Sequence, residues 1–310
     1  DAILSRGLGD VYKRQLVYFV LYMKKVQTGL VIEFYSNSCL VKVGDINLKC
    51  IAIKGVVVGD MVEIEVIQDS NEIKGKIINL LPRISSIKKK DGYRSKIFAA
   101  NISKVGIIVS PKPITNEKFI DKWIITAKLS NIEPFIINNK IDLNQDKEYR
   151  SKINIYKEIN IKVIDISSKE EINLAKLKDF LRNESVLFVG KSGAGKSTLT
   201  KSITGKDIKT NFLSNDRGVH TTSLSTLYEI PGNTKIIDSP GVRDVTIAGW
   251  GREKIIIGFS EIFEHAKNCK FKNCSHTSEE GCGVLQALKN GEIHETRYNN
   301  FIKFRDFLDE

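Results

Sequence analysis

The chain of 310 residues is about twice the ~150 expected of one domain, so it should fold as two or three compact units with room for at least one large core. Hydrophobic residues at 41%, charged residues at 27% and only 6 prolines exclude collagenous, mucin-like and wholly disordered chains. Against 37 acidic side chains stand 48 basic ones, and the resulting charge of +11 favours polyanions such as nucleic acid or anionic lipid.

The apolar run Leu16 to Met23 is about eight residues long, far short of the roughly 20 that cross a bilayer. Lys24 and Lys25 follow it where a signal-peptide cleavage site would need small side chains. Neither a membrane partner nor export is expected, and five cysteines, an odd number, suit reduced thiols in the cytoplasm. The first methionine is Met23, so residues 1–22 are read as a non-native leader and left out of the fold reasoning.

From Thr28 to Leu81, short runs such as GLVIEF, SCLVKV and DMVEIEVI alternate apolar with polar residues between Gly, Asn and Asp turn signals. Five such strands in about 55 residues predict a small β-barrel, an OB-fold first, although another small barrel or sandwich fits the periodicity as well. Residues 83–96 hold six basic side chains and one acid with no apolar period. They read as a linker, either a solvated connector or a segment that lies along phosphates.

Beyond it, the apolar runs VGIIVS, PFIINN, IKVIDIS and SVLFVG alternate with helical patterns, which predicts an α/β unit whose parallel sheet is covered on both faces. Ligands on such sheets bind at the carboxyl ends of the strands. The expected units are an OB-fold domain over 23–87, an α/β domain over 88–262 and a helical module over 263–310.

Directly after SVLFV comes a complete G-x-x-x-x-G-K-[ST] match, Gly190, Lys191, Ser192, Gly193, Ala194, Gly195, Lys196 and Ser197, and then Thr198 opens the helical TLTKSITG. Strand, glycine loop and helix are the context of a P-loop: backbone N–H groups approach phosphate oxygens and the helix N-terminus adds a positive dipole. Lys196 is then the cation for the β/γ-phosphates and Ser197 a Mg²⁺ ligand. The base is chosen by a second motif, Asn139-Lys140-Ile141-Asp142 at the end of PFIINN, which matches N-K-x-D. A carboxylate at Asp142 can accept both guanine N1–H and N2–H₂, whereas adenine would leave it unpaired.

Downstream, KIIDSPGV supplies Asp238 and Gly241 as a D-x-x-G element, and RGVHTTS supplies Thr221 or Thr222 to complete a Mg²⁺ shell. The motif order is unusual, because N-K-x-D precedes Gly190 by about 50 residues. A circularly permuted sheet reconciles the two, since each motif needs only its place at a strand end. Ser167, after IKVIDI, then falls where a loop would cover guanine O6. Val242 follows Gly241 where a water-orienting glutamine often stands, so slow hydrolysis by the isolated protein is expected, with His220 or a partner's group completing the machinery. His220 as a plain loop histidine is an equal alternative.

Cys269, Cys274, His276 and Cys282 gather three thiols and an imidazole within 14 residues, a set that suits tetrahedral, structural Zn²⁺. His265 and His294 are the possible substitutes. The tail after Cys282 reads as two helices broken at Gly291.

In this order of motifs, behind an OB-like barrel, the sequence resembles the RsgA (YjeQ) family of ribosome small-subunit-dependent GTPases. LPRISS, FAANISKVGIIVS, GVHTT, CSHTSEEGCGV and GEIHETRY carry the likeness from about Met23 onward. The resemblance implies a multidomain, circularly permuted GTPase that binds the small ribosomal subunit and its rRNA, acts in late maturation and is stimulated by that particle. It implies guanine at Asn139, Lys140 and Asp142, phosphates from Gly190 through Ser197, Mg²⁺ at Ser197, Asp238 and a switch threonine, and one zinc ion at the cysteine cluster; beside it, Thr198 is read as a further nucleotide contact, Thr222 as the candidate for the switch threonine, and Lys196 with His220 and Thr222 as the candidates for catalysis. A monomer is expected. Two alternatives stay open: a permuted GTPase serving another particle, and a non-catalytic RNA-binding factor that holds GTP as a conformational ligand.

Overall fold

A computed structural model of the protein describes residues 26–35, 37–69, 72–91, 94–143, 145–205, 225–239, 245, 247 and 250–306. The leader assigned to residues 1–22 lies outside them. No helix among the described residues is long and apolar enough to cross a membrane.

Alternating inward residues, clearest in the second and third strands, help close a barrel. β1 (Val26–Phe34), β2 (Ser38–Val43), β3 (Ile46–Ile51), β4 (Met61–Asp69) and β5 (Glu72–Leu80) pair in the cyclic order β1-β2-β3-β5-β4, with β3–β5 parallel and β1–β4 completing the ring. Inward positions Val31, Val41, Leu48, Val62, Ile64 and Ile77 fill its core, so the expected OB-like barrel forms without open edges. Its exit is locked by Asp60, whose buried carboxylate takes Arg83 Nε at 2.6 Å and Nη2 at 2.7 Å.

The segment read as a linker is a β-hairpin instead. β6 (Ser86–Asp91) and β7 (Arg94–Ala100) pair antiparallel, and Ile87, Ala99 and Ala100 are buried at the root, where Ala99 bridges Val58 of the barrel. Among the described residues of the two strands, the apolar ones, Ile87 and the run from Ile97 to Ala100, lie at the root end, away from the lysines, which is why no period shows along the chain.

The α/β unit follows the pattern of its apolar runs. β8 (Lys104–Val109), β9 (Glu133–Asn138), β10 (Val163–Asp165), β11 (Ser185–Gly190) and β13 (Thr234–Asp238) form a parallel sheet ordered β10-β9-β8-β11-β13, and β12 (Ser225–Ile230) runs antiparallel beside β13. α1 (Glu117–Leu129), α2 (Lys147–Glu158), α3 (Leu174–Phe180) and α4 (Lys196–Thr204) cover it. After β8 the chain winds outward through β9 and β10, then returns to β8's other side at β11. The carboxyl ends of β8 and β11 therefore flank a topological switch point, where a crevice opens. β12 also pairs with β1, so barrel and α/β sheet are one continuous sheet.

The C-terminal module comprises a 3₁₀ helix (Arg252–Gly258), α5 (Ser260–Ala266), α6 (Gly283–Lys289) and α7 (Glu295–Asp306). Phe259, Ile262, Val284, Phe301 and Phe304 pack against Ile125 of α1. A buried ionic knot fastens the module. Arg297 of α7, 1% exposed, donates Nη1 to Asp121 Oδ1 of α1 at 2.5 Å, Nε to Glu261 Oε1 at 2.7 Å and Nη2 to the Gly258 carbonyl at 2.8 Å. Tyr156 and Asn300 donate to the same Asp121 at 2.9 and 2.7 Å. Burial pushes the Asp121 carboxyl pKa up, and the facing Arg297 cation and these donors oppose that shift.

Candidate functional site

Three loops converge in the crevice. The first, Gly190 to Ser197, turns from β11 into α4, and Gly193 and Gly195 hold φ of +81° and +94°. At Gly195 a side chain is excluded twice over, by that left-handed backbone and because a Cβ would lie 2.3 Å from Asn139 Nδ2. Lys191, Gly195 and Lys196 are half-buried, Ala194 is buried, and Ser192, Ser197 and Thr198 face solvent.

The second loop follows β9. Asn139, 1% exposed, donates Nδ2 to the Ala194 carbonyl at 3.0 Å, and Lys140 donates Nζ to the carbonyls of Gly193 and Lys112, both at 2.7 Å. The third follows β10: Ser167 is fully buried and donates Oγ to Asp142 Oδ1. Ser167 thus orients the carboxylate beside the crevice rather than merely lying near it. The two motifs that the sequence separates by about 50 residues meet side by side, because parallel strands β9, β8 and β11 deliver their carboxyl ends to one edge.

At the other flank, Asp238 ends β13 at 4% exposure and forms an ion pair with Lys196. Ser239 Oγ lies 2.8 Å from Ser225 Oγ, which ties the end of β13 to the start of β12. His220, Thr221, Thr222, Gly241 and Val242 lie outside the described residues.

Sequence reasoning passed over one residue here. Ser168, 3% exposed, donates both its N–H (3.0 Å) and its Oγ–H (2.9 Å) to Asn139 Oδ1, and its carbonyl accepts Ser202 Oγ of α4 at 2.9 Å. The adjacent serines of ISSK were the only available signal, and a loop serine has no diagnostic spacing.

The second site lies in the C-terminal module. The ligand atoms of Cys269, Cys274, His276 and Cys282 all fall within 4.8 Å of one another and can hold a metal ion. His276 Nδ1 lies 3.5 Å from Cys269 Sγ and 3.6 Å from Cys282 Sγ, and those sulfurs are 3.9 Å apart. Tetrahedral coordination with metal–sulfur bonds of about 2.3 Å has sulfur–sulfur edges of about 3.8 Å, so the set is nearly preformed. Burial, then the Arg305 cation, lowers the His276 pKa, which favours the neutral imidazole a metal requires. Around it, the Glu279 carboxylate accepts the N–H groups of Ser275, Thr277 and Ser278, and Tyr298 donates to the His276 carbonyl at 2.7 Å. His265 faces Glu292 and His294 bonds Thr296, so neither belongs to the ligand set.

A continuous barrel-to-sheet architecture with a G-x-x-x-x-G-K-S loop at the switch point and an N-K-x-D element placed ahead of it defines a circularly permuted P-loop GTPase. A family model described as RsgA GTPase matches residues 80–248. The chain belongs to the RsgA GTPase family. It is 32% identical over 305 residues to a Saccharophagus degradans protein named "Small ribosomal subunit biogenesis GTPase RsgA", covering 92% of this chain and 88% of the relative. The Chlorobaculum parvum protein of the same name is 31% identical over 267 residues, covering 82% of this chain and 86% of the relative. Among solved structures, YjeQ from Thermotoga maritima superimposes with a TM-score of 0.71 at 26% identity, over 91% of this chain and 98% of that one. The circularly permuted GTPase YloQ, at 20% identity and a TM-score of 0.66 over 91% and 95%, shows the same fold.

Proposed function

We propose that this protein binds GTP in the crevice between the three loops and hydrolyses it in a cycle tied to late maturation of the small ribosomal subunit, working in the cytoplasm. The observation that carries the reading is the direct bonding of Asn139 and Lys140 to the P-loop carbonyls of Ala194 and Gly193, which makes one pocket of base reader and phosphate cradle. Asp142, held by Ser167, takes the guanine N1–H and N2–H₂ pair. Phosphoryl transfer to water is mainly a matter of position and charge, and Lys196 supplies a fixed cation at the phosphate end.

Ser197 and Asp238 offer the hard oxygen donors that suit Mg²⁺, with Thr222 as a further ligand. Such an ion would neutralise charge developing on the phosphates. At the cysteine cluster, three thiolates and a neutral imidazole suit Zn²⁺, which closes a structural site with no open position. His220 completes the hydrolytic machinery once the particle is bound.

The particle is proposed from the names of the relatives together with charge. A surplus of eleven positive charges, and a hairpin carrying Lys88, Lys89, Lys90, Arg94 and Lys96, suit an rRNA backbone. Turnover of GTP with and without purified small subunits tests the reading. Marked stimulation by small but not large subunits is expected; equal rates in all three conditions would overturn it.

A further inference from the structure

The turn between the first two cysteines of the metal set, Lys270 to Asn273, is exposed along its whole length yet pinned to the module by its backbone. The Lys270 N–H donates to the Gly281 carbonyl at 3.0 Å, and the Phe271 carbonyl accepts the Cys274 N–H at 3.3 Å. Phe271 therefore stands out from a fixed turn, at 47% exposure. Lys270 Nζ lies 5.4 Å from the centroid of its ring, within cation–π range. Gly281 makes room for the lysine stem: a Cβ there would stand 3.0 Å from Lys270 Cβ, on a backbone with φ of +74°.

Single exposed phenylalanines are common on protein surfaces. Two features set this one apart. Its ring is carried on a short turn whose ends are cysteines of the metal set, so a partner spends little ordering entropy on it. Between Lys267 and Cys274, moreover, the chain places Lys267, Lys270 and Lys272 and no acidic residue. An exposed π-face among cations takes an unpaired nucleobase: the base lies on the ring and the lysines meet the phosphates on either side. A duplex keeps its base faces covered by their neighbours and offers Phe271 nothing to stack on.

We propose that Phe271 is a stacking platform for an unpaired RNA base, with Lys270 and Lys272 on the flanking phosphates. This rests on RNA being the partner, and it gives the cysteine module the recognition of single strands, whereas the basic hairpin meets backbone alone.

The test uses the full chain with a short single-stranded RNA carrying 2-aminopurine, and with the duplex of the same sequence. The 2-aminopurine fluorescence should fall on binding, because stacking quenches it. Phe271→Ala should weaken the single strand about five- to 150-fold, the span of one stacked base, and leave the duplex unchanged. Phe271→Leu, which keeps an apolar side chain without a π-face, should lose nearly as much, and Phe271→Trp should bind at least as tightly as the wild type. Lys272→Ala should lower the slope of log affinity against log salt by about 0.7. Shielding of Cys269, Cys274 and Cys282 from a thiol reagent checks that each variant keeps its module folded. No loss in Phe271→Ala, an equal loss for the duplex, or Phe271→Leu binding as tightly as Phe271→Trp would overturn the proposal. Small-subunit stimulation of GTP turnover that survives such a result would leave the functional reading standing; its absence beside Phe271-dependent stacking would sink that reading alone.

Discussion

Asp142 and Gly195 are the two positions where a change of a few atoms tests the site most sharply. Asp142→Asn replaces an acceptor-only carboxylate by an amide whose NH₂ faces donors on guanine. GTP affinity should fall by about 2–4 kcal/mol and the preference over ATP should vanish, measured as the ratio of the two dissociation constants by calorimetry. A wild-type ratio would mean that another group reads the base. Gly195→Ala places a methyl 2.3 Å from Asn139 Nδ2 on a backbone with φ of +94°, so it should abolish nucleotide binding while the far-ultraviolet dichroism stays native. Both residues were legible in the sequence, because G-K-S after a strand and N-K-x-D carry their chemistry in their spacing. Ser168 was not: its function depends on Asn139, 29 positions away, being brought within 3.0 Å of it.

At the scale of elements, the C-terminal helices are held by two unlike devices, the cysteine cluster and the Arg297 knot. Arg297→Ala leaves Asp121 buried without its cation and should destabilise the protein by about 3–5 kcal/mol in urea titrations, whereas replacing both partners by apolar side chains should cost much less. Thiol counting separates the cysteines. Chelation should expose Cys269, Cys274 and Cys282 to a thiol reagent, while Cys39 and Cys50, buried in the barrel, should react only after unfolding. Burial raises the Cys39 pKa to about 11 and the Cys50 pKa to about 12 from a usual 9.0. The folded state therefore prefers the neutral thiols. Their contribution to stability is full below pH ~8.5 and declines as pH rises from about 9 through about 12, because the unfolded chain ionises first. Urea midpoints that stay constant from pH 8 to 11 in a Cys39→Ser, Cys50→Ser variant, but fall in the parent, would bear this out.

Across the whole molecule, β12 joins everything: it pairs with β1 of the barrel at Glu33–Thr226 and Phe34–Ser225 and with β13 all along its length. Its first residue, Ser225, touches Ser239 next to Asp238, so the barrel rim and the Asp238 flank of the crevice share one strand. The Lys42–Glu229 ion pair across the same seam is about one-third exposed on each side, and removing it should shift stability by less than about 1 kcal/mol. Particle binding should be strongly salt-dependent. Lys88→Ala with Lys96→Ala should lower the slope of log affinity against log salt by about one unit or more, and an unaltered slope would show that the hairpin stays clear of phosphate. His220→Ala should reduce only the particle-stimulated rate; full stimulated turnover would remove that residue from the chemistry.

The sequence by itself determined the kinds of element, the barrel, the glycine loop between strand and helix, and the clustering of three cysteines with His276, because periodicity and residue spacing are properties of a few neighbouring residues. Only the tertiary structure decided that residues 83–96 belong to a hairpin, that Ser168 holds Asn139, and that Arg297 answers Asp121 from 176 positions away. Those contacts arise from strand order and from the cost of leaving a buried polar group unpaired, and neither leaves a mark on the local pattern of the chain.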